Sequence, residues 1–155
     1  MSVPPNDNTT TAPINPYELH GAELEEWLDR KFILVDERIA LTANGVATEF
    51  ALRKPQNADE LISEADYVID ERLPYWADLW PAARLLATTV LGAESSSRSL
   101  LELGCGLGLA TAAAVHAGFL VTSTDYYEDA LHVARFNSAR VNGKEPNVRM
   151  VDWRA

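Results

Sequence analysis

The 155-residue sequence contains a single cysteine, Cys105, which excludes an internal disulfide and suits a small packing residue better than a nucleophile. Its three histidines, His20, His116 and His132, are scattered and lack the spacing of metal ligands. It has no apolar run of about 20 residues and no signal peptide, so we expect a cytoplasmic protein without a membrane segment. Thirteen Lys and Arg oppose 23 Asp and Glu, and the basic residues form no cluster, so we expect no nucleic-acid partner.

A glycine-rich segment, Leu-Glu-Leu-Gly-Cys-Gly-Leu-Gly at residues 101–108, lies between apolar runs. The run Ser99–Leu103 predicts a short buried strand, and Leu107–Ala117 predicts a helix ended by Gly118. Phe119–Thr124 predicts a second strand, which Asp125 follows directly. The order strand, glycine turn, helix, strand and carboxylate within about 27 residues is typical of a nucleotide-binding α/β unit.

The nature of the nucleotide follows from what the loop lacks. Neither Gly104 nor Gly106 begins a Gly-x-Gly-x-x-Gly dinucleotide motif, and no Gly-Lys-Ser/Thr phosphate loop is present. Glu102 would repel a pyrophosphate but suits a cationic, hydroxyl-rich ligand. S-adenosylmethionine (SAM) carries a sulfonium, an ammonium and a ribose diol but no phosphate, and Asp125 is placed to accept hydrogen bonds from the diol. The alternative is a glycine turn that serves only strand–helix packing, with Asp125 as a helix N-cap.

Three motifs together resemble the first half of a class I SAM-dependent methyltransferase. They are the glycine loop, the pair Thr124-Asp125 and the triplet Val151-Asp152-Trp153, and the resemblance extends from Phe32 to Trp153. The preceding segment, Leu-Pro-Tyr-Trp-Ala-Asp-Leu-Trp-Pro at 73–81, is similar to the lysine methyltransferase-like group (methyltransferase family 16, also called nicotinamide N-methyltransferase-like). The resemblance implies a Rossmann-like α/β sheet that binds SAM.

The resemblance also implies which residues contact the cofactor. Asp125 would accept hydrogen bonds from the ribose hydroxyls, and Asp152 would bind the adenine amino group. Trp153 or Trp80 would pack near the adenosine, with Tyr126 beside it. Glu102 and the loop glycines would line the methionine and ribose part, so that the predicted cofactor-binding set is Trp80, Glu102, Gly104, Cys105, Gly106, Gly108, Asp125, Tyr126, Asp152 and Trp153.

Two features just before Pro81 have two interpretations each. Tyr75, Trp76 and Trp80 could form an aromatic wall at the site entrance, or a plug between the N-terminal extension and the core. Asp78 could orient a substrate amine, but a carboxylate there also favours the N-terminus of the helix that Pro81 begins.

The rest of the chain predicts an N-terminal extension. We expect a flexible tail at residues 1–16, a helix and hairpin extension at 17–72, and half of a SAM-binding domain at 73–155. Within the extension, spacing predicts an amphipathic helix over Glu18–Phe32. The further predicted elements are a hairpin of Phe32–Leu41 and Val46–Leu52 around Asn44-Gly45, a short helix at Asn57–Ala65, a helix from Pro81 to Gly92, a helical apolar stripe on residues 127–141 and a strand at Asn147–Val151.

Few strands are predicted after position 99, whereas the resemblance implies a larger sheet, so we expect the sheet to be incomplete in this chain. The resemblance also puts an acidic and aromatic motif beyond Ala155, so the sequence assigns no catalytic residue. The expected function is methyl transfer from SAM to a nitrogen of a protein lysine or a small molecule. The alternative is a non-catalytic SAM-binding or partner-binding module, and a nicotinamide dinucleotide enzyme is disfavoured by the missing third glycine.

Overall fold

The computed structural model of the protein describes residues 13–70 and 73–154. Its α-helices are α1 (Gly21–Lys31), α2 (Glu64–Asp70), α3 (Pro81–Leu91), α4 (Leu109–Ala117) and α5 (Glu128–Asn142). Its strands are β1 (Leu34–Ala43), β2 (Val46–Pro55), β3 (Ser99–Leu103), β4 (Leu120–Asp125) and β5 (Asn147–Met150). Short 3-10 turns occur at Pro16–Glu18, Ala58–Leu61 and Tyr75–Ala77. No described helix has the length and apolar character needed to cross a membrane.

Strands β1 and β2 form the predicted antiparallel hairpin. Asn44 and Gly45 make its turn with positive φ angles of 51° and 77°, as an Asn-Gly pair in a tight turn favours. The register pairs Ala43 with Val46 and runs to Leu34 opposite Pro55. Strand β1 therefore lies two residues later than the predicted Phe32–Leu41, and β2 ends at Pro55 instead of Leu52. The inward side chains of the hairpin pack in one cluster with α4 residues.

The glycine loop connects β3 to α4, and β3 belongs to a parallel sheet with the strand order β3-β4-β5. Leu103 lies beside Thr124, and Asp125 lies beside Met150, so the carboxyl ends of the strands meet at one edge. The predicted strands are confirmed, with shifts of one residue at the ends of β4 and β5. The predicted burial of β3 is wrong, because only Glu102 of this strand is buried, while Leu101 and Leu103 are exposed. An α/β fold with a parallel sheet is therefore established.

Helices α4 and α5 cover one face of this sheet. Val121 packs against Ala114 of α4 on that face, and Val148 packs against Leu131 and Ala134 of α5. The other face of the sheet carries three exposed leucines. Leu101, Leu103 and Leu120 are 63%, 64% and 53% exposed.

Close packing of α4 against α5 depends on one glycine. Gly108 has a φ of +80°, and a Cβ atom there would lie 2.7 Å from both Cα and Cβ of Ala134. The loop therefore continues through Gly108, and α4 begins at Leu109 instead of the predicted Leu107.

Helix α5 is buried more completely than its predicted apolar stripe. All residues from Ala130 to Ser138 are buried, and they include polar side chains that periodicity did not predict. The amide of Asn137 accepts from the Arg53 N–H (2.8 Å) and donates to the Arg53 carbonyl (2.9 Å) and to the Leu107 carbonyl (2.9 Å). One side chain therefore ties β2 and the glycine loop to α5.

The helices of the extension also differ from the prediction. The predicted helix Asn57–Ala65 is wrong, because an extended Ile62 separates a 3-10 turn at Ala58–Leu61 from α2. The amphipathic helix starts at Gly21, whose φ is +53°, and not at Glu18, which belongs to the preceding 3-10 turn. Of the predicted tail, residues 1–12 lie outside the described residues.

Candidate functional site

A cavity of about 420 Å³ opens where β3 and β4 end. Its walls come from residues 73–86, from the glycine loop with the start of α4, from the segment after β4 and from Trp153. The volume falls within the range of about 300–1,000 Å³ that is typical of small-molecule sites. Its position matches the rule that open α/β sheets bind ligands outside the carboxyl ends of their strands.

Backbone hydrogen bonds to β4 hold the glycine loop. The N–H groups of Gly104 and Cys105 both donate to the Thr124 carbonyl at 2.9 Å, and the Thr124 hydroxyl donates to the Glu102 carbonyl at 2.8 Å. Gly104 has a φ of +73°, and a Cβ atom there would lie 3.7 Å from the Trp153 ring. A glycine at this position therefore leaves room between the loop and the indole.

The Asp125 carboxylate links the glycine loop to the segment that follows β4. One oxygen accepts from the Gly106 N–H and the other from the Tyr127 N–H, each at 2.9 Å. Asp125 therefore organises the local backbone, although it is not the N-cap residue of α5. Since a carboxylate has about four lone-pair sites, each oxygen keeps capacity for one more donor.

Glu102 is a second buried carboxyl group in the cavity wall. It is 8% exposed and accepts from the Thr111 hydroxyl, which also contacts the Ser123 hydroxyl at 2.7 Å. Burial and the nearby negative charge of Asp125 raise the pKa of Glu102 to about 7, although the Thr111 hydrogen bond acts in the opposite direction. Thr111 was not predicted, and its only sequence signal is a hydroxyl within an alanine-rich helix.

Cys105 is buried beside these carboxyl groups. Burial, followed by the charges of Asp125 and Glu102, raises the pKa of its thiol. Because the thiolate is the reactive form, Cys105 is a poor nucleophile, as the sequence indicated. It packs against Leu131 and Ala134 of α5.

The aromatic segment before α3 combines both of its predicted interpretations. Trp76 is buried and packs edge-to-face with Phe32 at 5.8 Å, which joins the extension to the core. Tyr75 and Trp80 remain exposed at the cavity wall with their rings 5.6 Å apart. The Trp80 indole N–H donates to the Tyr75 carbonyl at 2.9 Å, which fixes the orientation of the indole.

The cavity unites most of the predicted set, but two members lie outside it. Gly108 is buried against Ala134, and Asp152 accepts from Arg154 at 3.0–3.2 Å. An adenine contact for Asp152 stays a prediction. The predicted residues that line the cavity are Trp80, Glu102, Gly104, Cys105, Gly106, Asp125, Tyr126 and Trp153.

The cavity wall is acidic. Asp78, Glu102 and Asp125 line it, and none of its described lining residues is Lys, Arg or His. The Asp78 carboxylate lies 3.8 Å from the Lys54 ammonium at the rim. In the part of the chain that the structure describes, no group of acidic, histidine and cysteine side chains could hold a metal ion. An acidic cavity without a cation favours a positively charged ligand.

Comparison with known proteins gives no independent assignment. No protein-family model matches the chain, and no curated protein matches it significantly in sequence. Function is therefore inferred from the cavity and from the motifs that form it.

Proposed function

We propose that this chain is a class I SAM-dependent methyltransferase of the lysine methyltransferase-like group, with a Rossmann-like sheet. Its acceptor would be a nitrogen of a protein lysine or of a small molecule. The observation that carries the proposal is the cavity at the carboxyl ends of β3 and β4, where the glycine loop meets the Asp125 carboxylate. Neither dinucleotide nor phosphate-loop chemistry suits this acidic loop.

The cationic groups, the ribose diol and the adenine of SAM have matching groups in the cavity. The sulfonium and ammonium suit a wall with three carboxyl groups and no cation among its described residues. The two free lone-pair positions of Asp125 suit the ribose diol. The aromatic rings of Trp80, Tyr126 and Trp153 offer apolar surfaces for the adenine.

The residues of this chain would contribute alignment and exclusion of water. Bound SAM supplies a methyl carbon that its sulfonium has already activated for in-line displacement. The glycine loop and Asp125 would fix the cofactor, while Tyr75 and Trp80 at the entrance would limit the approach of water. A lysine acceptor must be neutral to react, and Asp78 at the rim is placed to orient such an amine.

Calorimetric titration tests the cofactor assignment. We expect the protein to bind SAM and its demethylated product but not NAD, and we expect Asp125→Ala to abolish binding. Asp129→Ala is the matched control, because this carboxylate pairs with Lys31 outside the main cavity. Binding of NAD instead of SAM, or equal SAM binding by Asp125→Ala, would overturn the proposal.

A transfer assay separates an enzyme from a binding module. The protein is incubated with methyl-labelled SAM and with lysine-containing peptides or small amines, and label in the acceptor is counted. Transfer that Asp125→Ala abolishes supports the enzyme, whereas SAM binding without transfer to any acceptor favours the non-catalytic module.

A further inference from the structure

The two buried carboxyl groups of the cavity have different hydrogen-bond donors. Both oxygens of Asp125 accept backbone N–H groups, at 2.9 Å each. Glu102 accepts from the Thr111 hydroxyl, and that hydroxyl is shared with Ser123. Because backbone N–H groups can only donate, they stabilise a charged Asp125, whereas a hydroxyl can also accept from a protonated carboxyl.

Among the described residues, the groups that face Glu102 are negative or neutral. Helix α4 presents the neutral Thr111, β4 presents Ser123 and Asp125, and the loop presents the Cys105 thiol. The described lining of the cavity supplies no cation to balance a second carboxylate. Two buried carboxylates without a cation repel each other, and each loses hydration, so one of them keeps its proton. Asp125 already accepts from two N–H groups that cannot act as acceptors, whereas Glu102 faces one hydroxyl, so we assign the proton to Glu102.

We propose that the cavity takes up its cationic cofactor in exchange for the proton of the Glu102 carboxyl group. The cofactor's positive charge replaces the proton as the partner of the carboxylate, the O–H bond of Glu102 breaks, and the proton leaves to solvent. This inference rests on the proposed function, because it takes SAM as the cation. It makes Glu102 the residue that selects a positively charged ligand. The raised pKa of Glu102, about 7, agrees with a carboxyl group that is protonated below neutrality.

The exchange predicts the pH dependence of affinity. If SAM binds only the form with deprotonated Glu102, whose pKa is about 7, the apparent affinity for SAM would be about fivefold weaker at pH 6 than at pH 7. Binding at pH 6 would release about 0.9 protons per ligand by the same linkage. Glu102→Gln carries no exchangeable carboxyl proton, so its SAM affinity should be flat over this range and its proton release should be close to zero.

Calorimetry at pH 6 in buffers of different ionisation enthalpy measures this proton release directly, with SAM as the probe. The control is Glu49→Gln, an exposed carboxyl on the hairpin that pairs with Arg38. We expect release in the wild type and in Glu49→Gln but not in Glu102→Gln. If SAM binds without proton release, or if Glu102→Gln releases as much as the wild type, the exchange is wrong while the proposed function stands. If SAM does not bind the folded wild-type protein, both are wrong.

Discussion

Two buried titratable side chains make the stability of the protein depend on pH in opposite directions. Glu102 lies in the cavity wall, and His132 lies fully buried on α5 between the rings of Tyr17 and Trp27, at 4.6 Å and 5.4 Å. Arg135 contacts the His132 Nδ1 atom at 3.2 Å. Since an arginine can only donate, the Nδ1 atom accepts and the proton of the neutral ring resides on Nε2. This buried atom has no hydrogen-bond partner among the described residues, and the Glu128 carboxylate lies 4.0 Å away.

Replacement of Glu102 by glutamine should stabilise the ligand-free protein at alkaline pH. The folded protein holds the Glu102 proton up to a pKa of about 7, whereas the unfolded chain releases it near 4.5. The wild type therefore loses stability from this group as the pH rises from 4.5 to 7. By linkage, Glu102→Gln should be more stable at pH 8 by up to about 3 kcal/mol, as measured by urea unfolding. Equal free energies of unfolding at pH 8 would contradict this.

Replacement of His132 by glutamine should remove a loss of stability in acid. Burial, then the charges of Arg135 and Lys31, lower the His132 pKa to about 4, from 6.5 in the unfolded chain. The unfolded chain thus binds more protons between pH 6.5 and 4, so stability falls as the pH falls through this range. The wild type should lose up to about 1.4 kcal/mol per pH unit more than His132→Gln between pH 6 and 5. Parallel unfolding profiles for the two proteins would contradict this assignment.

At the scale of elements, the contact between α4 and α5 gives the sharpest test of the fold. Gly108→Ala should cost about 3 kcal/mol or more, because it adds a positive-φ penalty to a clash with the Ala134 backbone at 2.7 Å. Gly143→Ala is the matched control. Gly143 also has a positive φ, of 65°, at a helix end, but its Cβ would meet no atom of the described residues within 4 Å, so only about 1 kcal/mol is expected. Equal losses in thermal or urea unfolding would refute the packing role of Gly108.

Local patterns predicted most of these elements. The Asn-Gly turn of the hairpin, the Pro81 start of α3 and the Gly118 end of α4 each follow from one residue's backbone preference, and the structure confirms them. The start of α4 was predicted two residues early, because the 2.7 Å approach of Gly108 to Ala134 depends on a distant part of the chain. The burial of Asn137 and His132 has the same cause, since their surroundings come from the hairpin and from α1.

Local sequence patterns also predicted part of the candidate site. The glycine loop and Asp125 lie in a fixed order within residues 101–125, so they could be recognised before the fold was known. The hydroxyl groups of Thr111 and Ser123 beside Glu102 could not be recognised, because Ser123 is placed by the register of β3 and β4 and Thr111 by the packing of α4 on the sheet. Asp152 was expected in the site, but Arg154 lies within hydrogen-bond distance of its carboxylate.

At the scale of the whole molecule, the two faces of the parallel sheet should respond differently to substitution. Leu101→Thr on the exposed face should change the free energy of unfolding by no more than about 0.5 kcal/mol, as is usual for surface positions. Leu131→Thr, at a fully buried position on α5, should cost about 3 kcal/mol or more. Urea unfolding of both variants makes the comparison. A large loss for Leu101→Thr would mean that this face is covered in solution.

The Asn137 amide should slow the exchange of one backbone N–H of the hairpin with solvent. The Arg53 N–H points away from the β1–β2 ladder and would exchange freely with deuterium, had Asn137 not accepted its hydrogen bond. The same side chain donates to the Leu107 carbonyl next to the cavity. Asn137 therefore contributes one hydrogen bond that holds the glycine loop and others that hold the edge of the hairpin. Slow exchange of the Arg53 proton would therefore report that the Asn137 side chain, which also holds the glycine loop, stays in place.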